Sequence, residues 1–177
     1  MRFGGIVLVT ALTLGACSSD PAPVEPARSA TTPTPTATAP PMPDQAREDS
    51  PEGAAAFVKH YVDVFNYAAA TGDVEELTRL SSPSCKGCQS YINLYRDTYA
   101  AGGYFKGGKW NLGDLNLEVG NDETYLTTQV MVDEGTSRSR ADAEEVGEKG
   151  ERNTISFAAQ ATAEGWRLQQ LGLGEVE

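Results

Sequence analysis

From residue 50 onward the apolar positions first keep helical spacing and then switch to alternation. Ser50-Pro51-Glu52 marks a helix start, with serine as N-cap, proline at the first helical position and an acid in the first turn. Phe57, Tyr61, Phe65 and Ala68 form one stripe, widened by Val58, Val62 and Ala69. Lys59, Asp63 and Asn66 fall on the opposite face, and Gly72 ends the helix. Asp73-Val74-Glu75-Glu76 predicts a capping box for a short second helix carrying Val74, Leu77 and Leu80. After the loop Ser81-Ser82-Pro83-Ser84, a third helix is expected over residues 88–101. Its stripe is Cys88, Tyr91, Ile92, Tyr95 and Tyr99, and Gly102-Gly103 stops it.

The period then becomes two. Leu115, Leu117 and Val119 alternate, a turn falls at Gly120-Asn121-Asp122, and Leu126, Val130 and Val132 alternate again. Trp110 and Leu112 are out of phase with Leu115, which predicts a bulge or bend around Gly113-Asp114. Residues 133–151 are acidic, glycine-spaced and poor in apolar side chains, and read as a long exposed hairpin loop. Ile155, Phe157, Ala159, Ala161 and Ala163 predict a further strand. A turn at Glu164-Gly165 leads to a last one bearing Trp166 and Leu168 and ending near Leu173. Helices followed by an antiparallel meander give an α+β class, with one globular domain over residues 51–177.

Upstream, the character changes. Nine of the ten prolines lie between Pro21 and Pro51, and Thr31, Thr32, Thr34, Thr36 and Thr38 alternate with Ala and Pro. Such a stretch buries too little apolar surface to offset its ordering entropy, so residues 17–50 read as a disordered stalk biased toward polyproline II. At about 3.1 Å per residue its reach is on the order of 100 Å. Its Pro/Thr composition also permits O-glycosylation. Residues 1–16 read as an export signal: Arg2 is followed by an uncharged, mainly apolar run too short to span a bilayer.

Charge narrows the partners. With 14 Lys+Arg against 25 Asp+Glu, the 177-residue chain carries a formal net charge of −11. That excess repels phosphate backbones and argues against nucleic acid as a partner. It also gains nothing from anionic lipid, so any membrane attachment must come from elsewhere.

Leu14-Gly15-Ala16-Cys17, followed by Ser18-Ser19-Asp20, resembles the bacterial lipobox. The resemblance implies that Cys17 is joined to diacylglycerol through its sulfur, becomes the first residue after cleavage and is acylated on its new amine. Two or three buried chains, at about 0.8 kcal/mol per methylene, anchor stably where one does not. The implied partner is a lipid bilayer, and the implied location is the extracytoplasmic face of the cell membrane. The helix–helix–helix–curved-sheet order resembles the cone-shaped NTF2-like fold, to which ketosteroid-isomerase-like and polyketide-cyclase-like proteins belong. A closer resemblance is to a family of actinobacterial lipoproteins built on a domain of unknown function. Its features here are the lipobox, the Pro/Thr stalk, Pro51-Glu52-Gly53-Ala54-Ala55 leading to Tyr61 and Tyr67, Cys85-Lys86-Gly87-Cys88 before Tyr91, and Gly102-Gly103-Tyr104 running to Trp110. No activity comes with it.

Cys85-Lys86-Gly87-Cys88 carries the sharpest chemistry. Exported cysteines oxidise, and with Cys17 acylated the remaining pair is even in number, so Cys85 and Cys88 read as a structural disulfide. A redox dithiol at a helix N-terminus is the alternative. That fold places a strand before its motif, whereas a helix and a Ser/Pro loop come first here. One Cys-x-x-Cys without a second is a poor zinc site, and no metal or cofactor is expected. His60, the one histidine, falls just outside the apolar arc of the first helix at about 100° per residue, as does Tyr67; it reads as a rim histidine, the sharper option being a general base.

Tyr61, Tyr91, Tyr95, Tyr99 and Trp110 are candidates for lining a cone interior, where a phenol can orient a ligand among apolar walls. Tyr104 continues the series, although helix-spaced tyrosines more often simply fill a core. Nothing aligns with the Tyr/Asp pairing of isomerases of this fold, and Asp114 is the nearest substitute for an interior carboxylate. The acidic stretch with Asp133, Glu134, Asp142, Glu144, Glu145 and Glu148 lacks calcium-loop spacing and reads as a solvated charge run. The chain is therefore expected to be a non-enzymatic envelope lipoprotein that binds a small ligand or an envelope protein. An NTF2-like enzyme with an isomerising or hydrolytic pocket is the alternative, and a Cys-x-x-Cys redox protein comes third.

Overall fold

The protein's structure, a computed structural model, describes residues 37–174. The export segment, Cys17 and the first part of the stalk lie outside the described residues.

Helix α1 spans Pro51–Thr71 as its signals predict. Ser50 Oγ accepts from the Gly53 N–H at 3.0 Å, and the Gly72 N–H closes the last turn on the Ala68 carbonyl at 2.8 Å. Helix α2, Glu75–Leu80, begins one residue later than the capping-box pattern implies. Asp73 still serves it, accepting from the Glu75 N–H at 3.1 Å. Helix α3 runs Lys86–Ala100, starting two residues before the expected position because Cys85 caps it: its Sγ accepts from the Cys88 N–H at 3.2 Å.

Eight strands follow: β1 Tyr104–Gly107, β2 Trp110–Leu112, β3 Asn116–Val119, β4 Thr124–Val132, β5 Gly135–Arg138, β6 Val146–Glu148, β7 Glu151–Thr162 and β8 Gly165–Leu173. All pairings between them are antiparallel. The main sheet has the order β2-β4-β7-β8, with β3 also pairing with β4, and a smaller sheet has the order β1-β5-β6. The bulge expected near Gly113 is present. Leu112 opposes Val130 and Asn116 opposes Thr127, so β2–β3 carries one residue more than β4 over that stretch.

The core is the apolar stripe of α1 set into the curved sheet. Phe57, Val58 and Phe65 meet Leu77 and Leu80 of α2, Ile92 of α3, and Leu126, Val130, Ile155, Phe157 and Leu168 of the main sheet. This is the expected α+β cone.

Two expectations are corrected. Residues 133–151 are not a plain loop, since β5 and β6 lie within them, β5 pairing with β1 and β6 with β5. Strands this short, built mainly of Gly, Thr, Ser and charged residues with Val146 alone apolar, have no apolar alternation to announce them; backbone pairing of β5 to β1 and of β6 to β5 holds them. The stalk, in turn, does not stay free up to residue 50. The Tyr67 hydroxyl, which donates to Asp73 Oδ2 at 2.9 Å, lies 3.2 Å from the Ala37 carbonyl, Met42 packs against the core, and Ala46 is buried within a single 3-10 turn, Gln45–Arg47. The Trp166 indole N–H donates to the Glu48 carbonyl at 2.9 Å. Residues 37–48 thus form a strap running back along α1. At Gly53 a Cβ would sit 1.9 Å from the Glu48 carbonyl oxygen, so only glycine lets the strap pass there.

Candidate functional site

Strand register decides which side chains face the inside of the cone, because directly paired residues share a sheet face. Leu126, Phe157 and Leu171 form one row across the main sheet, and Thr128, Ile155 and Leu173 form the next. Beyond these come Leu112, Val130 and Asn153, then Trp110, Val132 and Glu151. The inner face therefore turns from fully apolar to polar toward one end. That end is open: a cleft of about 420 Å³ lies there between α3 and both sheets. Its aromatic wall is Tyr91, Tyr95, Phe105 and Trp110.

The wall is built from rings seated on one another. Phe65 stands beneath Trp110 and Tyr91, with ring centroids 4.4 and 4.9 Å away, and Tyr95 meets Phe105 edge-on at 5.4 Å. Asn66 fixes Trp110 through its backbone. Its Oδ1 accepts from the Trp110 N–H at 2.8 Å and its Nδ2 donates to the Trp110 carbonyl at 2.9 Å. The sequence pattern puts Asn66 on the outer face of α1, and a two-bond amide clamp of this kind leaves no trace in periodicity.

Of the five predicted lining residues, the structure brings Tyr91, Tyr95 and Trp110 together in the cleft. Tyr61 and Tyr99 are elsewhere. The Tyr61 hydroxyl is buried and donates to Ser81 Oγ at 2.9 Å, while Ser81 donates to the Leu77 carbonyl at 2.7 Å; burial pushes the Tyr61 phenol above its ordinary pKa. Tyr99 donates to the Ala69 carbonyl at 2.8 Å, tying α3 to α1. Both are structural phenols with their bonding spent. Tyr104 lies on the other face of β1, its hydroxyl bonded to Glu145.

Glu148, Glu151 and Asn153, which also line the cleft, escape the sequence pattern as site residues. Glu151 and Asn153 are in phase with Ile155 and Phe157, a signal that extending the strand four residues upstream would have exposed. Asn153 Nδ2 donates to Glu151 Oε1 at 2.8 Å, and Ser137 Oγ donates to Glu148 Oε1 at 2.7 Å, so both carboxylates are held. Burial first, and the Glu151 charge second, raise the Tyr91 pKa; burial dominates at Tyr95, with neighbouring tyrosines and Glu148 adding. Both hydroxyls thus remain protonated and can donate. A smaller, mostly apolar pocket of about 290 Å³ adjoins the cleft across Tyr91, Trp110 and Leu173. Asp114 borders a different, shallow depression with Lys59 and Asp63 and does not face the cleft.

Cys85 and Cys88 are at disulfide distance, with Cα atoms 5.3 Å apart, and both side chains are buried. Thiol exchange needs an attacking thiolate to reach a sulfur, which this burial opposes. At Gly87, between them, a Cβ would lie 2.0 Å from the Leu171 carbonyl oxygen, so the glycine seats the first turn of α3 directly on β8.

His60 is not at a rim. It is 2% exposed, its Nε2 is buried without a hydrogen-bond partner among the described residues, and it does not line the cleft. Burial lowers its pKa below 6.5, more than nearby Glu76 and Asp63 raise it. The unfolded chain therefore binds a proton near pH 6.5 that the folded chain resists. This stability is full above that pH and is lost as pH falls toward the folded pKa. Urea unfolding at pH 7.5 and 5.5 is expected to show a loss on acidification that His60→Leu reduces. An equal loss in both proteins would contradict the assignment.

Several solved structures are similar to this chain. The intermembrane space region of chloroplast protein ARC6 superposes with a TM-score of 0.56 at 10% identity, covering 73% of this chain and 99% of that one. An NTF2-like protein with a cystatin-like fold from Novosphingobium aromaticivorans gives 0.42 at 15%, over 73% and 92%. An NTF2-like protein of unknown function in nutrient uptake from Rhodospirillum rubrum gives 0.45 at 17%, over 68% and 98%. The likeness to the ARC6 region, at 10% identity, concerns the fold alone. No curated protein matches the chain. Residues 24–171, from the stalk to the last strand, match a family of unknown function, DUF6318, and the chain belongs to that family.

Proposed function

We propose that this protein is an acyl-anchored envelope lipoprotein whose domain binds a small ligand in the cleft, without chemical turnover. The observation that carries the binding reading is the open cleft at the polar end of the cone, walled by Tyr91, Tyr95 and Trp110. Its size falls within the range of small-molecule sites, roughly 300–1,000 Å³, and an apolar wall with a few held polar groups is their usual lining. Glu148 and Glu151 are exposed to solvent, which suits them to recognition by charge more than to acid–base work by a desolvated carboxyl. An NTF2-like enzyme remains the second reading, favoured by the presence of two carboxylates beside two phenols.

The anchoring half of the proposal rests on Leu14-Gly15-Ala16-Cys17. Among the described residues no helix is long and apolar enough to cross a membrane. Wild-type chain is expected in the membrane fraction and Cys17→Ser in the soluble fraction, with the domain folded in both; retention of the variant refutes acyl anchoring. For the cleft, titration with indole as a probe is expected to saturate and to shift the Trp110 side-chain N–H resonance while leaving that of Trp166 in place. Saturation without a response at Trp110 refutes the site.

A further inference from the structure

The charges around the cleft are sorted by sheet face. In the smaller sheet Phe105 opposes Ser137, and Gly107, Gly135 and Glu148 form the next row on the same side. That side faces the cleft. Tyr104, Lys106 and Arg138 belong to the opposite side, where the Tyr104 ring holds both cations: Lys106 Nζ lies 4.2 Å and Arg138 Cζ 4.8 Å from its centroid. Lys106 borders the cleft through its place in β1, but its ammonium is turned away. The charged side chains that point into the cleft are thus Glu148 from one sheet and Glu151 from the other, facing four aromatic rings.

A second observation is independent of the acids. Tyr95 is 5% exposed and lines the cleft, and its hydroxyl oxygen, which takes no bond from the described residues, is not sealed from solvent and so opens into the cleft. The hydroxyls of Tyr61 and Tyr99, by contrast, are bonded within the fold, to Ser81 and to the Ala69 carbonyl. An unpartnered donor at a wall of rings leaves a place for a ligand acceptor.

Resting on the reading of this cleft as a binding site, we infer that its ligand is an organic cation: an ammonium-bearing molecule with an apolar body and a hydrogen-bond acceptor. The ammonium lies against the faces of Trp110 and Tyr91 with the two carboxylates beside it, an arrangement that attracts cations through ring quadrupole and charge together. The apolar body extends into the adjoining pocket lined by Ile155, Leu171 and Leu173. The acceptor takes the Tyr95 hydroxyl. An anionic ligand meets two carboxylates and no inward cation, so the site selects by repulsion as well as attraction.

Three matched probes test this on the full chain carrying Cys17→Ser: benzyltrimethylammonium, benzyl alcohol and phenylmethanesulfonate, each titrated by calorimetry and by the Trp110 indole resonance. The ammonium is expected to bind at least tenfold tighter than the other two, and less tightly as salt is raised. Glu148→Gln with Glu151→Gln is expected to remove most of that preference while leaving benzyl alcohol affinity unchanged. Equal binding of all three, or preference for the sulfonate, overturns the cation assignment and leaves the cleft reading standing. An ammonium preference that survives the double substitution places the cation elsewhere and also overturns it. Binding of none of the three overturns both readings.

Discussion

Deleting residues 37–48 while keeping the Ser50 cap is expected to lower the domain's stability by about 2–3 kcal/mol, or roughly 10 °C in Tm for a domain this size. The strap places Met42 and Ala46 against α1 and covers Trp166, whose indole N–H then loses its bond to the Glu48 carbonyl. Each fully buried aliphatic side chain contributes about 1.5–3 kcal/mol before the cost of ordering the backbone is set against it. A net neutral bond adds about 1 kcal/mol. Deleting residues 18–36 serves as the control. That stretch has Pro/Thr composition and no apolar stripe, and its loss is expected to leave Tm unchanged. Thermal unfolding of both deletions alongside the full chain decides the matter. Equal Tm values for all three would mean that residues 37–48 do not bind α1, and that the domain begins at residue 51 as composition implies.

That error of boundary shows what kind of information the chain displays. Ser50, Pro51 and Gly72 act locally, each on backbone within four residues of itself, and α1 could be placed from them. The bulge near Gly113 was visible because Trp110 and Leu112 break phase with Leu115. The strap has no such signal. Two apolar side chains in a run of prolines make no period, and what holds them is a groove formed by residues distant in sequence. Likewise the stripe of α3 marks Tyr91, Tyr95 and Tyr99 as inward without saying how far along the cone each lies. Tyr99 lies at the end of α1 and reaches the Ala69 carbonyl, whereas Tyr91 and Tyr95 line the cleft. Glu151 and Asn153 were legible in principle, since they keep the parity of Ile155, but an acid on an inner face reads as a loop until the opposing strand is known. Asn66 could not be found at all. Its partner is a backbone 44 residues away, and backbone carries no sequence.

Gly87→Ala offers the sharpest separation between helix propensity and packing, because the two predict opposite signs. In an exposed helix interior, replacing glycine by alanine stabilises by about 0.5–1 kcal/mol. Position 87 lies in the first turn of α3, and a Cβ there would stand 2.0 Å from the Leu171 carbonyl oxygen, a backbone atom that cannot swing aside. Either α3 tilts off β8 or β8 bends, at about 1–3 kcal/mol and more where the neighbours are fixed. Net destabilisation of about 2 kcal/mol is therefore expected after the propensity gain is subtracted. The cleft should suffer with it. Gly87 lines the apolar pocket together with Tyr91 and Trp110, so a tilt of α3 moves one wall against the other, and probe affinity is expected to fall about tenfold, or about 1.4 kcal/mol. Gly147→Ala is the matched control, since a Cβ there meets nothing within 4 Å and an exposed change of this kind stays within about 0.5 kcal/mol. Chemical denaturation of both variants, followed by titration of the folded proteins, reads both effects. A Gly87→Ala protein more stable than wild type would mean that α3 does not rest on β8 at its first turn, and the geometry assigned to the cleft would fall with it.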